Sequence, residues 1–141
     1  MATLYSTQRT NQRLTPPVKQ SPTEKNKATT VFFDWTGDAA QNDTLELVVI
    51  PKGVRIKTGF IDFDDFGTSV TLDIGDGTTE DKYLAALDIA TAAGTSSFAN
   101  TYARYGCGRE ETSASFTLTA KFEGGNPGSA RLSGWIEYVQ V

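Results

Sequence analysis

The stretch from Pro51 to Ile89, PKGVRIKTGFIDFDDFGTSVTLDIGDGTTEDKYLAALDI, decides how the chain is read. Apolar residues recur at a spacing of two in Val54/Ile56, Ile61/Phe63, Val70/Leu72/Ile74 and Tyr83/Ala85/Leu87/Ile89, with turn residues between the runs, which predicts four strands in succession. Their close spacing, with no long helical pattern between them, predicts antiparallel pairing. The last run is the least distinctive, because Leu84/Leu87 also fits a helical turn. Parity slips between Ile56 and Ile61, around Thr58 and Gly59. One extra residue turns every later side chain to the other face, so a β-bulge or bend is expected there, as at a sandwich corner.

The same period continues on both sides. Val31/Phe33/Trp35 alternates against Phe32/Asp34, and Leu45/Leu47/Val49 against Glu46/Val48/Ile50, the latter apolar on both faces near its end. Proline and glycine in Pro51, Lys52 and Gly53 mark a turn between them and the central stretch. Residues 90–97, ATAAGTSS, suit an exposed loop, and a short strand is expected around Tyr102 and Arg104. Toward the end, Phe116/Leu118/Ala120/Phe122 and, after GGNPG, Ala130/Leu132/Gly134/Ile136/Tyr138 form a long hairpin with one apolar and one mostly polar face. The fold class that results is all-β: an antiparallel β-sandwich of about eight strands, jelly-roll-like. An eight-stranded barrel would give nearly the same pattern.

Charge divides the chain of 141 residues unevenly. Up to Lys27, Arg9, Arg13, Lys19, Lys25 and Lys27 face Glu24 alone, a net of +4; since the whole chain carries −4, the remainder carries −8. This first segment holds Pro16, Pro17 and Pro22 and few large apolar residues. It cannot bury enough surface to offset its ordering entropy, so residues 1–28 are expected to be an extended basic arm, mobile in the isolated chain, and residues 29–141 the β-sandwich domain. Such an arm would order on an acidic partner surface, including a neighbouring copy of the same protein. Arg9, Arg13 and Lys19 are therefore interface candidates. So are Tyr102 and Tyr105, in a predicted loop with Phe66 and Phe98 as further loop aromatics, and Trp135, Val139 and Val141 on the outward face of the last strand. Cover of Trp135 by a second sheet or by the arm is the competing expectation.

Catalytic chemistry is poorly represented. The chain has no histidine, which excludes Ser-His-Asp and Cys-His nucleophiles, and its one cysteine, Cys107, excludes an internal disulfide. No cofactor is expected and no enzymatic activity. Asp73, Asp76, Glu80 and Asp81 in DIGDGTTED could ligate calcium, although the spacing departs from an EF-hand and a plain acidic turn is the simpler reading. Asp62 and Asp64 could act as a paired carboxylate for glycoside hydrolysis, or be solvated surface charge. No apolar run approaches a membrane span, no secretion signal is expected from the residues that follow Met1, and the acidic body disfavours nucleic acid.

Within the central stretch, Pro51/Gly53/Arg55/Ile56, then Val70/Thr71/Leu72/Ile74/Gly75/Asp76, then Lys82/Tyr83/Leu84/Ala85/Ala86 resemble a segment of small tailed-bacteriophage head proteins of the decoration or cement type. The resemblance covers about a third of the chain and consists of turns and strands. It implies a β-sandwich bound to the outer capsid surface in the virion, often as a homotrimer, made in the host cytoplasm, with the major capsid protein as partner. It transfers no site residues. The expected function is thus a viral structural protein that stabilises the assembled capsid by bridging capsomers. The alternative is an adhesion module that binds a host-surface glycan or protein, with Tyr102 and Tyr105 as stacking residues.

Overall fold

The computed structural model describes residues 1–13, 28–67, 69–90, 92–98 and 111–140. Among the described residues, nine strands and one short helix follow in the order β1 (Thr3–Tyr5), α1 (Thr7–Gln12), β2 (Ala28–Ala39), β3 (Thr44–Ile50), β4 (Val54–Phe63), β5 (Thr71–Gly75), β6 (Leu84–Asp88), β7 (Gly94–Ser97), β8 (Phe116–Glu123) and β9 (Gly128–Gln140). They form two sheets, β1-β3-β8-β5-β6 and β2-β9-β4-β7.

The pairing is nested. β2 pairs with β9, β3 with β8, β4 with β7 and β5 with β6, all antiparallel, as in one long folded ribbon. That ribbon is rolled so that β4 also meets β9 and β5 also meets β8. Eight strands connected in this way are a jelly roll, so the predicted all-β sandwich is the observed fold, with β1 added as a ninth strand. Inward residues of β2, β4 and β9, among them Phe33, Ile61, Leu132 and Ile136, face Leu45, Ile50, Leu72, Leu118 and Phe122 of the other sheet, and all are buried. Trp35 and Phe66 pack on Phe122 with ring centroids 5.8 and 5.5 Å apart.

The expected bulge is present in β4, between Ile56 and Thr58. The strand bends there without breaking, so the first two runs of the central stretch are one strand. Just beyond the bulge, a Cβ on Gly59 would lie 2.1 Å from the Phe98 ring, so only glycine lets that ring lie against the backbone. A second register shift falls between Glu46 and Val48 of β3. It buries both Leu47 and Val48, which accounts for the two-sided apolar pattern of that run.

Three expectations are corrected. Gly94–Ser97 is not loop but an edge strand paired with Phe60–Phe63; short, small and polar residues suit a position whose second side is unpaired. Phe66 and Phe98 are not loop-exposed aromatics, being 1% and 0% exposed. The N-terminal segment is not extended throughout: β1 lies parallel to β3, with Thr3, Leu4 and Tyr5 opposite Thr44, Leu45 and Glu46, and the helix α1 follows. Sequence composition undervalued these residues because their main anchors are hydrogen bonds from small and amide side chains, not apolar area. The strand expected around Tyr102 and Arg104 lies outside the described residues.

Candidate functional site

Two surfaces of the roll carry the residues of interest. The first is where β2 and β3, in different sheets, run side by side and the N-terminal segment sits between them. An outer strand leaves backbone N–H and C=O groups without a sheet partner, and leaving them buried and unpaired is costly. Several of them are satisfied here. Ser6 is fully buried, donates from Oγ to the Leu47 carbonyl and from its own N–H to the Glu46 carbonyl at 2.8 Å. Gln8 binds Asp34 of β2 twice: its Oε1 accepts from the Asp34 N–H at 3.0 Å and its Nε2 donates to the Asp34 carboxylate at 2.9 Å. The Gln12 side chain accepts from the Val49 N–H of β3 at 3.0 Å. At the start of the segment, Asp43 accepts from the N–H groups of Ala2 at 2.8 Å and Ala40 at 3.0 Å. These backbone donors hold the Asp43 carboxyl below the usual carboxylate range.

Two of the predicted interface cations lie in this seal. Arg9 is 3.7 Å from Glu46 of β3, and the Arg13 guanidinium lies over the Tyr5 ring at 3.9 Å. The acidic partner of Arg9 is thus in its own chain. Lys19 lies outside the described residues.

Beside the seal, over β8, the acidic turn distributes its carboxylates among separate partners. Asp76 accepts from the N–H groups of Thr78 and Thr79 at 2.9 and 2.7 Å and pairs with Lys82 at 3.4 Å. Glu80 reaches Lys121 of β8 at 2.9 Å. Asp73 accepts from the Ala86 N–H at 2.7 Å, and burial, with Glu123 and Asp81 nearby, pushes its carboxyl up despite that bond.

The second surface is the outward face of β2, β9 and β4, which the N-terminal segment reaches at Asp34 through Gln8. Register puts Phe32, Trp135 and Phe60 directly opposite one another, a row of three rings across three strands. Phe32 is 64% exposed, and Phe60 and Trp135 stack with centroids 5.8 Å apart. The next outward row is Asp34, Ser133 and Asp62, and on the other side lie Thr30, Glu137 and Thr58. Between the aromatic row and the Asp34–Ser133–Asp62 row runs a groove of about 350 Å³, floored by Gly134. Arg131 fixes one end of it: its guanidinium donates to Ser133 Oγ at 2.7 Å and to Asp62 at 3.0 Å, with Asp64 at 3.7 Å. Those carboxylates in turn raise the pKa of Arg131. Asp62 and Asp64, considered from sequence as a catalytic pair, are therefore both bound to one arginine.

Of the remaining interface candidates, Trp135 stands in this row half-buried against Phe60, and Val139 is half-buried on β9 between Ala28 and Arg55. Tyr102, Tyr105 and Val141 lie outside the described residues. Sequence reasoning did not select Phe32, Phe60, Asp34 or Arg131. Phe32 carried a signal, an apolar residue at the polar parity of its strand; Phe60 did not, because the bulge hides its parity, and no sequence pattern reveals which residues register places opposite Trp135.

No family profile matches the chain, and no curated protein matches its sequence. Solved structures do. A chain described under "Capsid of Ralstonia phage GP4" superimposes with a TM-score of 0.78 at 21% identity, over 99% of this chain and 98% of that one. A chain of the "Cyanophage Pam1 capsid asymmetric unit" superimposes with a TM-score of 0.58 at 13% identity, over 92% of this chain and 97% of that one. At these identities the likeness is one of fold, and it extends from end to end.

Proposed function

We propose that this chain is a non-enzymatic structural protein of a phage virion, which binds the outer surface of an assembled capsid and stabilises it by bridging neighbouring capsomers. The observation that carries this reading is the end-to-end likeness of the jelly roll to a chain from a phage capsid, over 99% of this chain and 98% of that one. The decoration-like segment Pro51–Ala86 forms β4, β5 and the start of β6, the middle of the roll, so the resemblance lies in the scaffold.

In this reading the partners are the major capsid protein and further copies of the chain, most simply as a trimer at a symmetric position. Each contact can be modest, because attachment at several points raises the effective concentration of the others, and a subunit opposes separation of two capsomers merely by holding both. The test uses particles of the encoding phage prepared without this protein. Adding the purified chain is expected to raise the temperature at which they release DNA. An unchanged release temperature at saturating protein would overturn the reading.

A further inference from the structure

We propose that the groove on the outward face of β2, β9 and β4 is a carbohydrate-binding site, which takes two linked pyranose rings along the row Phe32, Trp135 and Phe60. This goes beyond attachment to a capsid and does not depend on it.

The shape of the apolar surface argues for this ligand. The aromatic row is one residue wide, with polar rows on both sides. Strands lie about 4.8 Å apart, so the row is roughly 10 Å long, about the length of a disaccharide. A pyranose ring has apolar C–H faces and a polar rim of hydroxyls. The groove has the matching pair of walls, aromatic rings on one side and Asp34, Ser133 and Asp62 on the other.

The polar wall is built for hydroxyl groups rather than for a cation. A hydroxyl both donates and accepts, so its site needs both kinds of partner. Here carboxylate acceptors alternate with donors: Gln8 holds Asp34, and Arg131 holds Ser133 and Asp62. Each carboxylate has lone pairs beyond those used. Because Arg131 already compensates Asp62, the attraction for an incoming lysine or arginine is weakened, while the side chains remain oriented for a neutral ligand. All of these groups except Gln8 stand on paired strands, so little ordering is required on binding.

Trp135 supplies the readout, since Trp35 lies in the core at 8% exposure. The purified full chain is titrated with maltose, cellobiose, lactose, mannobiose and chitobiose up to tens of millimolar, following tryptophan fluorescence. Amide chemical shifts of the same samples locate the response. A saturable change with at least one disaccharide, mapping to Phe32, Trp135 and Asp62, is expected, with at least tenfold weaker binding in Trp135→Ala and in Asp34→Asn. Phe32→Ser guards against misfolding, because that side chain is mostly in solvent, and it is expected to weaken binding at unchanged melting temperature. No response to any disaccharide overturns the proposal. So does a response only to N-acetyl-arginine amide, which would mark a protein-docking site, or equal binding by Trp135→Ala. Loss of sugar binding in these variants with capsid attachment intact would separate the two functions; failure of capsid attachment alone leaves the sugar site standing.

Discussion

Where β2 and β3 run side by side, several backbone groups left over by sheet pairing are taken up by Ser6, Gln8 and Gln12, while on the outward face of β2, β9 and β4 the Phe32 ring stands mostly in solvent beside the half-buried, mutually stacked rings of Trp135 and Phe60. The difference follows from what each kind of exposure costs. A buried, unpaired N–H or C=O costs about 1–3 kcal/mol, so a seal that satisfies several of them is under strong pressure to be present in the folded subunit. An exposed ring only forgoes the gain from burial, at about 25 cal/mol per Å². The fold tolerates it, but nothing in the fold requires it. Phe32 is the one large apolar side chain besides Met1 that is mostly exposed among the described residues, which points to a use outside the subunit.

The largest effect should come from removing the seal. A chain that starts at residue 14 loses Ser6, Gln8, Gln12 and the Ala2 bond to Asp43 together, and is expected to be at least about 3 kcal/mol less stable in urea unfolding. It should also self-associate through its bared strand edges, visible by light scattering. A loss under about 1 kcal/mol would show the segment to be a loose attachment. Replacing Gln8 and Gln12 together by alanine isolates the edge contacts, and should cost about 2 kcal/mol by the same assay.

Acid should act on the seal and spare the open face. The Asp43 carboxyl is depressed in the folded chain, so its stabilisation is present above the ordinary carboxylate value of about 3.9 and is lost as pH falls through the depressed folded value. Amide exchange at Leu4 to Gln12 should therefore speed up below about pH 4, before exchange at Trp135 or Phe60 does, and Asp43→Asn should show that faster exchange already at neutral pH. Asp73 has the opposite sign: its raised folded value means that a penalty absent at low pH appears as pH rises through that value, and Asp73→Asn should remove it. The smallest effect on stability belongs to the open face, where Phe32→Ser should change the unfolding free energy by no more than about 0.5 kcal/mol. A larger loss would make that ring part of the fold and weaken the comparison.

Much of the fold was legible because burial repeats with the strand period. Val31/Phe33/Trp35, Phe116 to Phe122 and Ala130 to Tyr138 each announce a strand, and the parity slip before Ile61 announces a bulge within one residue of where it lies. What could not be read were features that depend on register and on small polar residues. Ser6 and Gln8 have no periodic signal, so a segment they anchor looks like a tail. Gly94–Ser97 has no apolar face, yet pairs because β4 offers it an edge. The candidate site was visible only as Trp135 at an outward position and as Asp62, considered for another chemistry. Its neighbours Phe32, Phe60, Asp34 and Asp62 come from strands far away in sequence, and only the pairing of β9 with both β2 and β4 brings them into one groove.

The proposed role as a capsid-bound structural protein is tested most directly by co-sedimentation of the purified full chain with assembled shells of the encoding phage prepared without it. Saturable binding with a fixed number of copies per shell is expected, with no binding to unassembled major capsid protein at the same concentration. Protein that stays in the supernatant at every shell concentration would contradict it.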